Sequence, residues 1–244
     1  MMKNKPLRIN RQGLCTTISG EAGGFPQGTW ITLVRLQGCN LKCTWCDTPQ
    51  ARMQSVITSL EAGGDLRNFI EVSVPDLVSQ IRDQMNPHVL ITGGEPLMQP
   101  EVINLIESLV ERGFKVQVET NGSILIPFIP EVYWVVDFKC PSSGMVERMN
   151  ISMDVWAGQI ARQQNAGGHV SVKFVVMDVI DLDYAIEAIE RLLDYGVKGP
   201  FLISPINAKG ENIKGMAERI REKHIGLLDH IVFSVQLHKV FGMV

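Results

Sequence analysis

The segment R-L-Q-G-C-N-L-K-C-T-W-C-D-T, residues 35–48, decides how the rest of the chain is interpreted. It places Cys39, Cys43 and Cys46 within eight residues, in the spacing C-x3-C-x2-C. The run W-I-T-L-V-R-L, residues 30–36, is rich in β-branched side chains and predicts a strand. The cysteines therefore lie on a loop that leaves the end of a strand. Three soft ligands so close together are expected to bind one metal centre.

The number of nearby ligands distinguishes the possible centres. A structural zinc needs a fourth Cys or His, and the nearest histidine along the chain, His88, is far away. An iron–sulfur cluster held by three cysteines leaves one iron open to another ligand. Three packed free thiols are a further alternative. Two non-enzymatic functions therefore stay open, a zinc-binding interaction module and a cluster-bearing electron carrier.

Composition narrows the class of protein. A chain of 244 residues is long enough for one α/β domain with a substantial core. The net charge of −3 gives no electrostatic reason to expect nucleic acid as a partner. No run approaches the roughly 18 apolar residues that span a membrane, and the N-terminus lacks an apolar signal segment, which predicts a cytoplasmic location. Cys15 and Cys140 stand apart and are interpreted as packed thiols in a reduced protein.

Strands and helices alternate after the cysteine loop, which favours a parallel sheet with crossover helices. Fewer units are found than the eight of a full barrel, so the sequence predicts an incomplete TIM-type β/α barrel of about six to seven parallel strands. Residues 49–72 are interpreted as an insertion without regular structure. Strands are predicted near residues 30–36, 88–91, 114–119, 132–138, 169–177, 201–203 and 231–235, and helices near 73–85, 100–112, 153–165, 182–195 and 211–224.

Most unusual strings follow the end of a predicted strand. In parallel α/β folds those ends gather at one edge, where ligands bind. Each string alone is also compatible with an ordinary turn between a strand and a helix. Together they predict one site, to which the cysteine loop contributes with T-G-G-E-P (92–96), E-T-N-G (119–122), D-F-K-C-P (137–141), I-S-P-I (203–206) and Q-L-H-K (236–239).

The cysteine spacing, with the aromatic Trp45 before the third cysteine, is similar to that of the radical S-adenosylmethionine (SAM) superfamily. Within it, R-L-Q-G-C and C-D-T resemble the 7-carboxy-7-deazaguanine synthase family. The resemblance implies a single radical SAM domain over residues 1–244, with the cluster loop at 38–48 and a substrate-closing tail at 234–244. It also implies a [4Fe–4S] cluster on Cys39, Cys43 and Cys46, with SAM chelating the open iron.

The resemblance implies a set of SAM contacts. G-G-E-P would bind the SAM amino group, and E-T-N-G would bind its ribose or carboxylate. D-F-K stands where the family often has S-P-K, and I-S-P-I resembles L-Q-P-M without its Gln. Lys139 could instead be a surface cation with a packed stem. The implied SAM-binding residues are Trp45, Asp47, Gly94, Glu95, Glu119, Asn121, Asp137, Phe138, Lys139 and Ser204.

The substrate contacts are implied in the same way. I-S-G-E, residues 18–21, aligns with the family's L-Q-G-E. Glu21 suits two N–H donors of a guanine-like edge, and the Arg35 fork suits a carboxylate, unless it pairs with an acid at the barrel rim. Thr48 would bind Mg²⁺, with substrate oxygens and waters completing the octahedron. The implied substrate-binding residues are Ile18, Ser19, Gly20, Glu21, Arg35, Thr92, Gln236, His238 and the carboxylate of Val244.

The reaction implied by the resemblance is the radical ring contraction of 6-carboxy-5,6,7,8-tetrahydropterin to 7-carboxy-7-deazaguanine, with loss of ammonia. A flavodoxin- or ferredoxin-type reductant and a homodimer are expected, and no nucleic-acid or membrane partner. A glycyl-radical enzyme activase uses the same cysteine spacing and is the alternative enzyme. The strings C-D-T and Q-L-H-K argue against it.

Overall fold

A computed structural model describes residues 5–52, 69–206 and 210–241. In this described part, nine strands form one sheet in the order β3-β1-β2-β4-β5-β6-β7-β8-β9. The strands are β1 (Leu7–Ile18), β2 (Trp30–Leu36), β3 (Phe69–Val72), β4 (His88–Gly93), β5 (Lys115–Thr120), β6 (Tyr133–Asp137), β7 (His169–Val176), β8 (Phe201–Pro205) and β9 (Ile231–Phe233).

The parallel part of the sheet comprises β2 and β4 to β9, seven strands in all. Helices connect most of them, and the sheet is not closed into a barrel. The prediction of an incomplete β/α barrel is therefore confirmed.

Two antiparallel strands extend the sheet beyond β2. The strand β1 pairs with β2, and β3 pairs with β1 through Leu7 and Val72. The prediction that residues 49–72 lack regular structure is wrong at both ends, because Pro49–Arg52 is a short helix and Phe69–Val72 is β3. The four residues F-I-E-V are too short to signal a strand locally, and their pairing with a distant segment makes them one. Residues 53–68 lie outside the described part of the chain.

The predicted helices are confirmed with small shifts at their ends, and the short helices α1 and α7 were not predicted. For α2, Ser73 caps the first turn, where its hydroxyl accepts a bond from the Asp76 N–H at 3.3 Å. The helices are α1 (Pro49–Arg52), α2 (Val74–Asp83), α3 (Val102–Glu111), α4 (Met153–Asn165), α5 (Val179–Asp194), α6 (Gly210–Lys223) and α7 (Leu237–Phe241). No helix in the described ranges is long and apolar enough to cross a membrane.

The main core lies between the sheet and its helices, and β7 shows how the sequence builds it. Side chains of a strand alternate between two faces. Val172 and Phe174 of β7 are fully buried in this core, whereas Lys173 and Val175 line a cavity on the inner face. Cys140 is buried in the same core, as expected of a packed thiol.

The amino-terminal end of the half-barrel is closed by a second, smaller apolar cluster. Phe25, from the loop after β1, packs there with Ile31, Leu33 and Leu90. Cys15 packs against this cluster as a free thiol. This end of the inner face is therefore largely apolar, with the buried Gln117 side chain accepting a hydrogen bond from the Phe25 N–H at 2.9 Å.

Candidate active site

A cavity of about 450 Å³ opens at the carboxyl ends of the parallel strands. The structure brings the cysteine loop together there with the ends of β4, β5 and β6 and with the segment after β9, as the motifs predicted. The predicted residues that line it are Ile18, Gly20, Glu21, Arg35, Cys39, Cys43, Trp45, Cys46, Asp47, Thr48, Thr92, Gly94, Glu119, Asn121, Asp137, Lys139 and Gln236.

The three clustered thiols share one wall of this cavity. Cys39, Cys43 and Cys46 are half-buried, unlike the fully buried Cys140. The Asn121 amide donates to the Cys39 sulfur at 3.6 Å. Burial raises the pKa of the Cys39 and Cys43 thiols. Their exposure to a shared cavity distinguishes them from packed thiols.

The arrangement of these donors fits a cluster better than a single ion. In the described part of the chain, no three His, Cys, Asp or Glu side chains are grouped to hold one metal ion. A tetrahedral zinc would need its ligands about 2.0–2.3 Å from one centre. In an iron–sulfur cluster each thiolate bonds to its own iron, so three soft donors can stand further apart. Three half-buried thiols on one wall of the cavity therefore fit a [4Fe–4S] cluster that leaves one iron open to another ligand.

The turn after β4, which contains Gly93 and Gly94, forms main-chain hydrogen bonds with the start of the cysteine loop. The Gly94 N–H donates to the Leu36 carbonyl at 3.0 Å, and the Glu95 N–H donates to the Gly38 carbonyl at 2.8 Å. Gly93 has a φ of +143°, and a Cβ on Gly93 or Gly94 would collide with the backbone of Leu36 or Gly38. Only glycine allows this close approach. The turn after β4 thereby fixes the residue that precedes the first cysteine.

The carboxylate of Glu95, one of the expected SAM contacts, lies behind the wall of the cavity and does not line it. It is fully buried and accepts hydrogen bonds from the Thr120 hydroxyl at 2.7 Å and the Asn121 N–H at 2.6 Å. A third bond comes from the Leu97 N–H at 3.0 Å. The side chain thus joins the end of β4 to the end of β5.

Other predicted residues are also outside the cavity lining. Phe138 packs against Trp156 in the core, with ring centroids 5.2 Å apart. The Ser204 hydroxyl is buried and has no hydrogen-bond partner among the residues that the structure describes, and the Ser19 hydroxyl donates to the Glu21 carbonyl at 3.0 Å. The side chain of His238 and all of Val244 lie outside the described residues.

A buried ion-pair network forms the floor of the cavity. Lys173 donates to Glu21 at 2.7 Å and lies 3.3 Å from Asp137, and Lys139 pairs with Asp137 at 2.6 Å. Burial alone would raise the pKa of Asp137, but the charges of Lys139 and Lys173 outweigh it and hold that pKa below its usual value. The Lys139 ammonium also lies 5.5 Å from the centre of the Trp45 ring, so Lys139 is not a solvated surface cation.

The carboxyl of Glu119 has a pKa raised to about 7. Burial is the main cause, and the negative charges of Glu21 and Asp137 add to it, while Lys173 and Arg35 oppose it. Its oxygens accept bonds from the Gln117 amide at 3.2 Å and the Thr92 hydroxyl at 3.5 Å.

The sequence interpretation missed Lys173. It lies inside β7, in the run V-S-V-K-F-V-V, and follows no motif at a strand end. A charged residue in the middle of an otherwise apolar strand was the signal that could have identified it, because an unpaired ammonium is not buried there.

Arg35 and Gln236, two of the residues expected to bind substrate, both line the cavity. The Arg35 guanidinium lines the cavity and has no hydrogen-bond or ion-pair partner among the described residues, so the alternative of a rim ion pair is not supported. The Gln236 amide donates to Glu21 at 2.7 Å and approaches Asp47 at 3.5 Å. The segment after β9 thereby reaches the residues next to the cysteine loop.

Comparisons with known proteins agree with this geometry. The family model of the radical SAM superfamily matches residues 33–222. A 7-carboxy-7-deazaguanine synthase of Methanospirillum hungatei is 33% identical over 230 residues, 93% of this chain and 83% of the relative. One from Thermoplasma acidophilum is 30% identical over 227 residues, which cover 92% of both chains.

A solved structure shows the same fold. The crystal structure of QueE from Escherichia coli superposes with a TM-score of 0.66 at 24% identity, and the match covers 95% of this chain and 94% of that one. The two sequence identities extend over 93% and 92% of this chain. The chain therefore belongs to the radical SAM superfamily and, within it, to the 7-carboxy-7-deazaguanine synthase family.

Proposed function

We propose that this radical SAM enzyme converts 6-carboxy-5,6,7,8-tetrahydropterin to 7-carboxy-7-deazaguanine. One observation carries the proposal: a single cavity contains the three thiols, an acidic acceptor, Glu21, and a cation, Arg35, for which the described residues provide no hydrogen-bond or ion-pair partner. When bound, the cluster and SAM supply a 5′-deoxyadenosyl radical that removes the hydrogen on C6 of the pterin. The residues of the chain bind, orient and shield the two ligands.

Glu21 is suited to the guanine-like edge of a pterin. One of its oxygens accepts from Lys173 and the other from Gln236, each at 2.7 Å. A carboxylate offers about four acceptor positions, so both oxygens keep capacity for ligand N–H groups. The two existing bonds fix the orientation of the carboxylate before a ligand arrives, which lowers the cost of positioning it.

Arg35 is suited to the carboxylate at the other end of the pterin. It lies opposite Thr92 in the parallel pairing of β2 with β4, so a guanidinium and a hydroxyl come from neighbouring strands. Arg presents parallel N–H donors that match two carboxylate oxygens. An unpaired, half-buried cation gains most from such a partner.

The SAM contacts that we propose use the wall next to the cysteines. The main chain at Gly93 and Gly94, the Asn121 amide and the Asp137–Lys139 pair line the cavity there. Glu95 supports that wall indirectly, because its carboxylate holds Thr120 and Asn121 in place. We also propose a flavodoxin- or ferredoxin-type donor for the one-electron reduction that the cluster needs, and a homodimer.

Anaerobic turnover tests the function directly. The reconstituted protein is incubated with 6-carboxytetrahydropterin, SAM, Mg²⁺ and a reductant, and the product mass is measured. We expect 7-carboxy-7-deazaguanine and one equivalent of ammonia. The control omits the pterin. If the loaded protein cleaves SAM at the same rate with and without pterin and forms no such product, the proposed substrate is wrong.

Thr48 is the proposed protein ligand of Mg²⁺. It lines the cavity, and its hydroxyl lies 4.0 Å from the Cys46 sulfur. A single neutral oxygen holds Mg²⁺ weakly, so tight binding has to depend on the carboxylate of the substrate and on water. We therefore expect Mg²⁺ to stimulate turnover strongly while it binds poorly to substrate-free enzyme.

We expect Thr48→Ala to reduce the stimulation of turnover by Mg²⁺ about 10-fold or more, since one coordinating oxygen is lost. Thr48→Ser keeps the hydroxyl and serves as the matched control, with stimulation largely preserved. The measurement is turnover against Mg²⁺ concentration after thorough chelation. A Thr48→Ala enzyme that responds to Mg²⁺ as the parent does would remove this metal site.

A further inference from the structure

Lys173 is a buried cation whose hydrogen-bonding capacity is not fully used by the protein. An ammonium group has three N–H donors. In the described part of the chain, Lys173 has two acceptors, Glu21 at 2.7 Å and Asp137 at 3.3 Å. The residue also lines the cavity. One donor is therefore left for a ligand.

The ammonium of Lys173 stays charged in this setting. Burial alone would lower its pKa, but the carboxylates of Asp137, Glu21 and Glu119 outweigh burial and raise that pKa well above its usual value. A charged donor forms stronger hydrogen bonds than a neutral one. A ligand that leaves this donor without an acceptor would bury an N–H group at considerable cost.

Because Lys173 lies next to Glu21, the ligand atom that accepts its remaining N–H must lie beside the group that binds Glu21. The Lys173 nitrogen is bonded to the Oε2 oxygen of Glu21. Suppose that a ring binds this carboxylate through two neighbouring N–H groups. The substituent that follows the second N–H on the ring then lies beside one of the two carboxylate oxygens. In a pterin, the ring N–H is followed by the exocyclic 4-oxo group, so a carboxylate acceptor and an adjacent ammonium donor complement that edge.

We propose that Lys173 donates its remaining N–H to the exocyclic oxygen of the substrate ring and selects for a carbonyl oxygen at that position. This inference rests on the proposed function, since it assumes that Glu21 binds the N–H edge. Glu21 then accepts hydrogen bonds from two neighbouring N–H groups of the ring, and Lys173 donates to the carbonyl oxygen next to them.

The test compares two unreactive ligands that differ in one atom. These are 6-carboxypterin, which has no hydrogen on C6 to remove, and its 4-thioxo counterpart, which keeps the ring N–H but has a weakly accepting sulfur. The Kd of each is measured by calorimetry with the reconstituted enzyme and SAM, without reductant. For the parent we expect the oxo ligand to bind about 10- to 150-fold more tightly, the range for a hydrogen bond to a charged group.

The variant Lys173→Met removes the donor and should bind the two ligands with nearly equal Kd values. Lys198 is an exposed lysine, and Lys198→Met, the matched control, should keep the parent's preference. A merely structural lysine would weaken both ligands by the same factor and leave their ratio unchanged. Such a result in Lys173→Met overturns the inference.

The parent protein alone keeps the inference falsifiable if Lys173→Met does not fold. Equal Kd values of the parent for the oxo and thioxo ligands would overturn the role of Lys173, while the proposed function would stand if 6-carboxytetrahydropterin is still turned over. A parent enzyme that binds neither ligand and does not turn over the tetrahydropterin would overturn both.

Discussion

At the scale of single residues, the balance of buried charges determines the pKa values of the carboxyl groups in the cavity. Three carboxylates, those of Glu21, Glu119 and Asp137, face one shared ammonium, Lys173, and a second cation, Lys139, pairs with Asp137. The cations hold the pKa of Asp137 down, whereas Glu119, which pairs with neither of them, keeps a pKa raised to about 7. One carboxyl of the cavity is therefore half-protonated near neutral pH.

The raised pKa of Glu119 predicts how stability changes with pH. Its folded-state pKa of about 7 exceeds the usual 4.5, so the folded protein binds this proton more tightly than the unfolded chain does. The stability contributed by protonated Glu119 is complete below pH 4.5 and is lost as the pH rises towards 7. The loss is on the order of 3 kcal/mol, at about 1.4 kcal/mol for each pKa unit over the shift from 4.5 to about 7.

Glu119→Gln keeps the shape and removes the ionisation. We expect the difference in unfolding free energy between parent and Glu119→Gln to move in favour of the variant as the pH rises from about 5 to 7.5. Denaturant unfolding of the reconstituted proteins at several pH values measures it. A difference that does not change with pH would mean that Glu119 is ionised throughout.

Residue types at strand ends were easier to predict than their partners. Glu21, Glu119 and Asp137 follow strands or short motifs and were all expected at the cavity. Lys173 was missed because it lies within a strand, and the orientation of Glu95 was missed because the sequence cannot show which donors surround a carboxylate. Two backbone N–H groups and a hydroxyl turned Glu95 away from the cavity.

At the scale of secondary-structure elements, the turn after β4 supports the cysteine loop. Gly93 has a φ that is strained for any residue with a Cβ, and its neighbourhood leaves no room for one. We expect Gly93→Ala to lower the unfolding free energy by about 1–3 kcal/mol from backbone strain, and by more if the new Cβ displaces the Leu36 backbone. The iron content of the reconstituted protein should fall as well, since the loop loses its support.

Gly158 provides a matched control within the same protein. It is exposed in α4, and a Cβ there would meet no atom within 4 Å. Gly158→Ala should therefore stabilise the protein by about 0.5–1 kcal/mol and leave the iron content unchanged. If Gly93→Ala matched the parent in both measurements, the close approach of β4 to the cysteine loop would not matter for assembly.

Elements with a strong internal pattern were predictable, and those that depend on distant partners were not. The seven parallel strands and five longer helices follow from alternation, caps and glycine stops. The strand β3 exists because β1 pairs with it, and its four residues contain no signal of that pairing. The short helix α7 likewise depends on distant partners, because the segment before it forms hydrogen bonds with the loop after β1.

At the scale of the whole molecule, the open edge of the half-barrel is bridged by hydrogen bonds between segments far apart in sequence. The Ser234 hydroxyl accepts from the Ala22 N–H at 2.9 Å, and the Leu237 N–H donates to the Gly20 carbonyl at 2.8 Å. The Gln27 side chain donates to the Val235 carbonyl. The sheet of described strands does not close, so these contacts join its two sides at the end of the cavity where Glu21 and Gln236 lie.

Deleting residues 236–244 should weaken the binding of the pterin and leave the binding of the cluster and SAM unchanged. We expect the shortened protein to bind the cluster and SAM but to lose pterin affinity about 10-fold or more. The reason is that Glu21 loses its bond from the Gln236 amide and the Gly20 carbonyl loses its bond from the Leu237 N–H. The single variant Gln236→Leu removes only the side-chain bond and should show a smaller loss. Calorimetry with 6-carboxypterin and with SAM measures both. Unchanged pterin affinity in the shortened protein would contradict this division.

The bond between Glu21 and Gln236 spans 215 residues, and it sets an order of events during synthesis. The ribosome has added the residues of the cysteine loop, the glycine turn and the ends of β5 and β6 by the time it reaches residue 139, whereas Gln236 is added almost a hundred residues later. Contacts of such long range form late in folding. The three cysteines and the proposed SAM contacts are therefore synthesised well before Gln236, so the hydrogen bond that orients Glu21 towards the proposed substrate is among the last contacts that the chain can form.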